Sequence, residues 1–167
     1  MTTKTTLIKA SQRFGLVLFA TTAMLGDFAM AQTTPGAVAL TPGEMKWASQ
    51  GGLAAPGMQQ LNLIGDPAKP GPYTLRLKFP KGFRIAPHSH PDYREVTILS
   101  GTFATGYGDK FDTDNLKILP SGSFYTEPPG MNHFAMTKGE GVVIQITGYG
   151  PTGTTYVDPR NDPTKKP

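Results

Sequence analysis

The chain contains no cysteine. Neither a disulfide framework nor thiolate metal ligation is therefore available to it. This absence is compatible with an oxidising compartment but does not select one. Histidine is scarce, with three residues in 167, and tryptophan occurs once. Charged residues make up 17% of the chain and form no basic stripe, which leaves nucleic-acid binding without an electrostatic footprint. Stretches free of helix breakers are also rare. The 20 glycines and 16 prolines interrupt almost every window of about a dozen residues, so a helical bundle is hard to build. Many turns joined by short apolar runs indicate an all-β chain, and the length indicates one domain.

The first 31 residues have their own character. Lys4, Lys9 and Arg13 precede an apolar stretch that begins Phe14-Gly15-Leu16-Val17-Leu18-Phe19-Ala20, and Ala29-Met30-Ala31 follows. A basic start, an apolar middle and a small-x-small end form the pattern of a secretory signal peptide, with cleavage after Ala31. The apolar stretch is too short to span a bilayer comfortably. Removal of this segment takes away three of 16 basic residues and one of 12 acidic ones, leaving 13 and 11 and a net charge of +2. The expected mature protein is periplasmic or secreted, with no membrane attachment and no nucleic-acid partner. Residues 32–43 read as an extended leader, residues 44–157 as the folded domain, and residues 158–167 as a frayed Pro- and Lys-rich tail.

Within the domain, Tyr73, Leu75, Leu77 and Phe79 alternate with Thr74, Arg76 and Lys78, the period of a half-buried strand. Further strands are expected at 45–48, 59–64, 83–87, 95–99, 102–107, 116–119, 123–126, 133–137 and 142–148. The last two are read as a hairpin around Lys138-Gly139-Glu140-Gly141, and Ser100-Gly101 as the turn between 95–99 and 102–107. Short strands at close intervals imply a barrel or sandwich. Arg76 is read as a solvent-facing strand residue and Gln145 as a satisfied amide. Phe103, Tyr107, Phe124, Tyr125 and Phe134 are read as core. Trp47 is expected to pack an N-terminal strand against the domain or a second subunit.

Chemistry concentrates on the histidines. His88 and His90 flank Ser89, and in extended chain residues two apart point to the same face. Glu95 follows five residues after His90. His133 lies 43 residues beyond His90, after the corner Pro128-Pro129-Gly130. Three imidazoles and one carboxylate suit a divalent cation such as Mn, Fe, Co, Ni, Cu or Zn. Four protein ligands would leave one or two positions open for water or substrate, as in reactive rather than structural sites.

These residues resemble the two sequence motifs of the cupin superfamily. The first motif is matched by Gly82, His88-Ser89-His90, Glu95 and Gly101, and the second by Gly122, Pro128-Pro129-Gly130 and His133. Thr137 stands where the second motif ends in asparagine. The resemblance implies a single-domain, all-β antiparallel jelly-roll barrel, with metal held by His88, His90, Glu95 and His133, and a homodimer. Counting back from Gly101, the usual interval lands on Arg94 rather than Glu95. Adjacent strand residues face opposite ways, so either Glu95 or Arg94 faces the imidazoles. Two activities follow as expectations. One is metal-dependent, dioxygenase-like chemistry on a small organic substrate, with Glu95 as ligand and proton acceptor. The other is a non-catalytic metal- or small-molecule-binding role as sensor or carrier.

Overall fold

A computed structural model describes residues 36–49 and 57–163. The expected signal peptide, residues 1–31, lies outside the described residues, as do residues 164–167 of the tail. Eight strands form one antiparallel sheet: β1 (Gln59–Ile64), β2 (Gly71–Phe79), β3 (Arg84–Ser89), β4 (Arg94–Tyr107), β5 (Lys117–Pro120), β6 (Phe124–Glu127), β7 (His133–Gly150) and β8 (Thr155–Tyr156). The pairing order is β1-β2-β7-β3-β8, while β4 pairs with β5, β6 and β7. The long β7 therefore belongs to both halves and forms the seam on which the sheet curls into the jelly-roll form. Among the described residues no pairing joins the outer strands into a fully hydrogen-bonded cylinder.

Alternation decides which face each strand buries. On β2, Tyr73, Leu75, Leu77 and Phe79 are buried, as their period of two requires. Val96 and Ile98 of β4 and Val142, Ile144 and Ile146 of β7 meet them in one apolar core. Each such side chain contributes about 1.5–3 kcal/mol when fully buried. The opposite face of β2 carries Arg76, whose Nε donates to Oε1 of Gln145 at 3.0 Å and whose Nη1 reaches Met45 Sδ at 3.2 Å. Lys78 Nζ lies 6.0 Å from the Trp47 ring centroid. The segment Met45–Ala48 thus crosses the outside of the sheet, but it contributes only a single bridge, Ala48 to Gln60, rather than the expected strand.

Two expected breaks prove to be bends. Residues 94–107 form one strand rather than two, and 133–150 is one strand rather than a hairpin. The two run antiparallel along their whole length, from Arg94 opposite Gly148 to Tyr107 opposite His133, with register shifts around Ser100. Gly101 adopts φ +77° there, and an added Cβ would lie 2.5 Å from the Gly141 carbonyl oxygen. Glycine allows both strands to bend together with an extra loop of residues on β7, whereas a side chain would force them apart. Of the aromatic residues read as core, Phe103, Tyr125 and Phe134 are buried, while Tyr107 and Phe124 are exposed.

Candidate metal centre

His88, one residue before the end of β3, lies directly opposite His133, the first residue of β7. His90 follows two residues after His88, just past the end of β3. The Pro128-Pro129-Gly130 corner binds these segments together, because the Gly130 N–H donates to the His90 carbonyl at 2.8 Å and the Met131 N–H to Pro128 at 3.1 Å. The same corner then feeds the chain into β7 at His133. The spacing between the two halves of the motif therefore has a mechanical reason: one turn fixes His90 and aims His133.

Potential ligand atoms of His88, His90 and His133 lie within 4.8 Å of one another. The three residues are 2–6% exposed. Each Nδ1 faces a backbone carbonyl: His88 to Ala86 at 2.7 Å, His90 to Gly153 at 2.6 Å and His133 to Met131 at 3.1 Å. A carbonyl oxygen can only accept, so each Nδ1 carries the proton. In the neutral ring, Nε2 then presents a lone pair. Burial, and then the neighbouring His133, draw His88 down to about 4; burial, and then the Arg94 charge, draw His90 down to about 2. Both rings are neutral at pH 7. Nε2 of His90 and of His133 is buried without a hydrogen-bond partner.

The carboxylate beside these rings belongs to Glu127, the last residue of β6, which sequence reading overlooked. Oε1 lies 3.3 Å from His133 Nε2, and Oε2 lies 3.6 Å from His90 Nε2. Tyr125 O–H donates to Oε1 at 2.9 Å. Arg94 stands opposite Glu127 in the β4–β6 register, with Nε 2.8 Å from Oε2. This N–H does not point well at the oxygen, and Arg94 Nη1 is buried without a partner. The contact is therefore a charge pair rather than an aligned fork. Burial alone would raise the Glu127 pKa, but the Arg94 charge beside it outweighs burial and holds the group well below the usual carboxylate range.

The expected role of Glu95 is corrected by these positions. Glu95 is exposed on β4, between the buried Arg94 and Val96. The β4 register with β7 runs without a bulge from Arg94 through Ile98, so nothing rotates Glu95 inward and Arg94 takes the inner face. Glu95→Gln is expected to leave metal stoichiometry and stability within about 0.5 kcal/mol of the parent, as for other surface substitutions. Metal analysis and urea melts check this, and a loss of bound metal would restore Glu95 to the site.

The residues present fit a cation. The Nε2 atoms of His90 and His133 stand 3.6 and 3.3 Å from a carboxylate, and a cation held among them would be bound by both kinds of group. Nitrogen-rich ligation with one oxygen suits a first-row divalent metal. The carbonyl-bound Nδ1 atoms are the outer partners that orient such ligands. A cavity of about 330 Å³ opens onto the cluster. Part of its wall is apolar, with Leu77, Phe79, Phe83, Ile85, Phe103 and Ile144, and its polar lining includes Tyr156 and Asn161 near the C-terminal end. Asp92, another buried acid, accepts from Tyr73 at 2.6 Å and Thr152 at 2.5 Å. It fastens the segment after β7, which carries the Gly153 carbonyl that orients His90.

The shifts also set a pH dependence for metal-free protein. His88 and His90 bind protons more weakly folded than unfolded, so the unfolded chain takes them up first as pH falls below 6.5. Glu127 is also lowered from 4.5, so it adds the same trend below that pH. Stability is therefore expected to fall on acidification from pH 6.5 towards 4, by up to about 1.4 kcal/mol per pH unit for each imidazole. Urea melts of chelator-stripped protein would measure this; a flat profile would contradict the neutral, buried rings.

A curled antiparallel sheet holding three convergent imidazoles at one end of a cavity defines a cupin with a candidate metal centre. The chain belongs to the ChrR cupin-like family, whose domain model matches residues 35–152. Among solved structures it is similar to the polyketide cyclase RemF from Streptomyces resistomycificus, at TM-score 0.59 and 16% identity, covering 78% of this chain and 94% of that one. It is also similar to an RmlC-like cupin from Shewanella frigidimarina, at TM-score 0.52 and 19% identity, covering 66% and 89%. KdgF from Halomonas sp. has TM-score 0.50 and 19% identity, covering 66% and 91%. At these identities the structural likenesses establish the fold. No curated protein matches the chain.

Proposed function

We propose that the mature protein is an exported metallo-cupin that holds a divalent transition metal on His88, His90 and His133, with Glu127 alongside, and acts on a small organic molecule in the adjoining cavity. The observation that carries this reading is the set of three Nδ1–H···O=C bonds, which leaves three imidazole Nε2 atoms free to converge. When bound, the ion would supply Lewis-acid polarisation of an oxygen ligand and, if redox-active, dioxygenase-like chemistry. The chain's own residues do the rest. The apolar walls exclude water from the organic part of the ligand. Glu127, kept ionised by Arg94, stabilises positive charge and is a weak proton acceptor, because its basicity is low.

The Arg94–Glu127 pair also favours a second reading, a non-catalytic binder serving as sensor or carrier, since the carboxylate nearest the metal is already committed to a guanidinium. Export rests on the pattern of residues 1–31, and a homodimer on the superfamily resemblance. Elemental analysis of the purified mature protein tests metal binding. Oxygen uptake with catechols, flavonoids or β-diketones then separates the enzyme from the binder. A protein that takes up no metal with all three histidines intact would overturn the proposal.

A further inference from the structure

The floor of the cavity has a charge balance that points to its ligand. Besides the phenols of Tyr125 and Tyr156, its ionisable groups are three imidazoles, Glu127 and Arg94, and Arg84 also lines the cavity. Imidazoles that keep Nδ1–H on a carbonyl and coordinate a metal through Nε2 are neutral ligands, and Arg94 and Glu127 cancel one another. A divalent ion added to this set would leave two uncompensated positive charges at the buried end of the cavity, beside the apolar side chains of Leu77, Phe103 and Ile144. Buried charge of that kind requires a counter-charge. Among the described residues that line the cavity, Glu127 is the one carboxylate; Asp92 is engaged by Tyr73 and Thr152 and does not line it. The ligand must bring the counter-charge.

Arg94 shows where the counter-charge goes. The residue is 4% exposed, and it meets Glu127 through Nε. Nη1 has no partner at all, although the side chain lines the cavity. An arginine present only to neutralise Glu127 would satisfy its donors by turning its fork onto that carboxylate. Here one side of the guanidinium faces the glutamate and another donor is left for something else. Guanidinium groups bind carboxylates by charge-assisted hydrogen bonds.

Building on the metal reading above, we propose that the cavity takes a small organic carboxylate with an apolar body, its carboxylate lying between the metal and Arg94 Nη1. The hydrocarbon part then occupies the space walled by Leu77, Phe79, Phe103 and Ile144. Arg94 is a substrate-anchoring residue, and a neutral isostere of the same shape is excluded because it would leave Nη1 and the metal charge uncompensated. The cavity is at the small end of the ligand-pocket range of roughly 300–1,000 Å³, which suits a single ring or a short branched chain.

The test titrates benzoate and its neutral isostere benzamide into zinc-loaded protein by calorimetry, with zinc content measured first. Benzoate is expected to bind at least ten-fold more tightly than benzamide. Arg94→Gln is expected to move two quantities in opposite directions: zinc is held as tightly or more tightly, because Glu127 is freed, while benzoate affinity falls at least ten-fold. The Arg94→Gln/Glu127→Gln double variant keeps the pair uncharged and guards against misfolding of the single variant; its benzoate affinity is expected to fall equally. Equal affinity for benzoate and benzamide in the parent protein would overturn the assignment, as would undiminished benzoate affinity in folded variants at matched zinc content. A parent protein that binds no zinc sinks the metal reading instead. The same titration without metal still decides the place of Arg94, by loss of benzoate binding on substitution or by its persistence.

Discussion

Replacing His133 with alanine is expected to lower zinc affinity by more than about 100-fold, the upper end of what loss of an outer hydrogen-bond partner does to a metal site. His133 is the hinge of the cluster. It stands opposite His88 in the β3–β7 register, and its Nε2 is buried without a partner. Its removal leaves His88 and His90, two apart in sequence, with no third imidazole to complete the set. His133→Gln offers a milder comparison, since a carboxamide approximates the ring's polarity but not its aromatic donor nitrogen. Competition against a chromophoric chelator measures both. The parent protein should release zinc only to strong chelators, and the alanine variant to weak ones. Equal affinity in parent and variant would mean that the imidazoles do not share an ion.

Much of this architecture was legible in the residues, and the reasons are physical. The β2 alternation of Tyr73, Leu75, Leu77 and Phe79 fixes a buried face without any knowledge of its partners, because a strand offers only two faces. His88 and His90 had to point together for the same reason. The Pro128-Pro129-Gly130 corner marked a change of direction just before His133. Two things were not legible. Whether Ser100-Gly101 ends a strand or bends it depends on β7 bending with it, and that is a property of a strand forty residues away. The second was the carboxylate. A strand written as 123–126 stops one residue short of Glu127, which shares a face with the buried Tyr125. The usable signal was parity. Arg94 is in phase with Val96 and Ile98, both buried, and a buried arginine demands an acid across the sheet. Searching for that acid on the inward face of a neighbouring strand leads to Glu127, whereas searching for the acid nearest the histidines leads to Glu95.

The exchange of positions has an energetic consequence that can be measured apart from any metal. Arg94 and Glu127 are 4% and 3% exposed, and neither has water to fall back on. In metal-free protein at pH 7, Glu127→Ala is expected to cost about 3–5 kcal/mol, the scale for breaking a buried ion pair. Most of that reflects the guanidinium left alone. The Arg94→Met/Glu127→Leu variant removes both charges and keeps the volume, so it is expected to recover most of the loss and to fall near the parent. Urea melts separate these cases, since a change in midpoint at constant slope reports stability alone. The pair would then be a feature maintained at little or no net benefit to folding, because hydrocarbon could replace it. Its retention in the floor of the cavity is best explained by what Nη1 and the carboxylate do for a ligand. If Glu127→Ala proves as stable as the parent, the two side chains are hydrated in solution, and the cavity floor is wetter and less selective for anions than its burial implies.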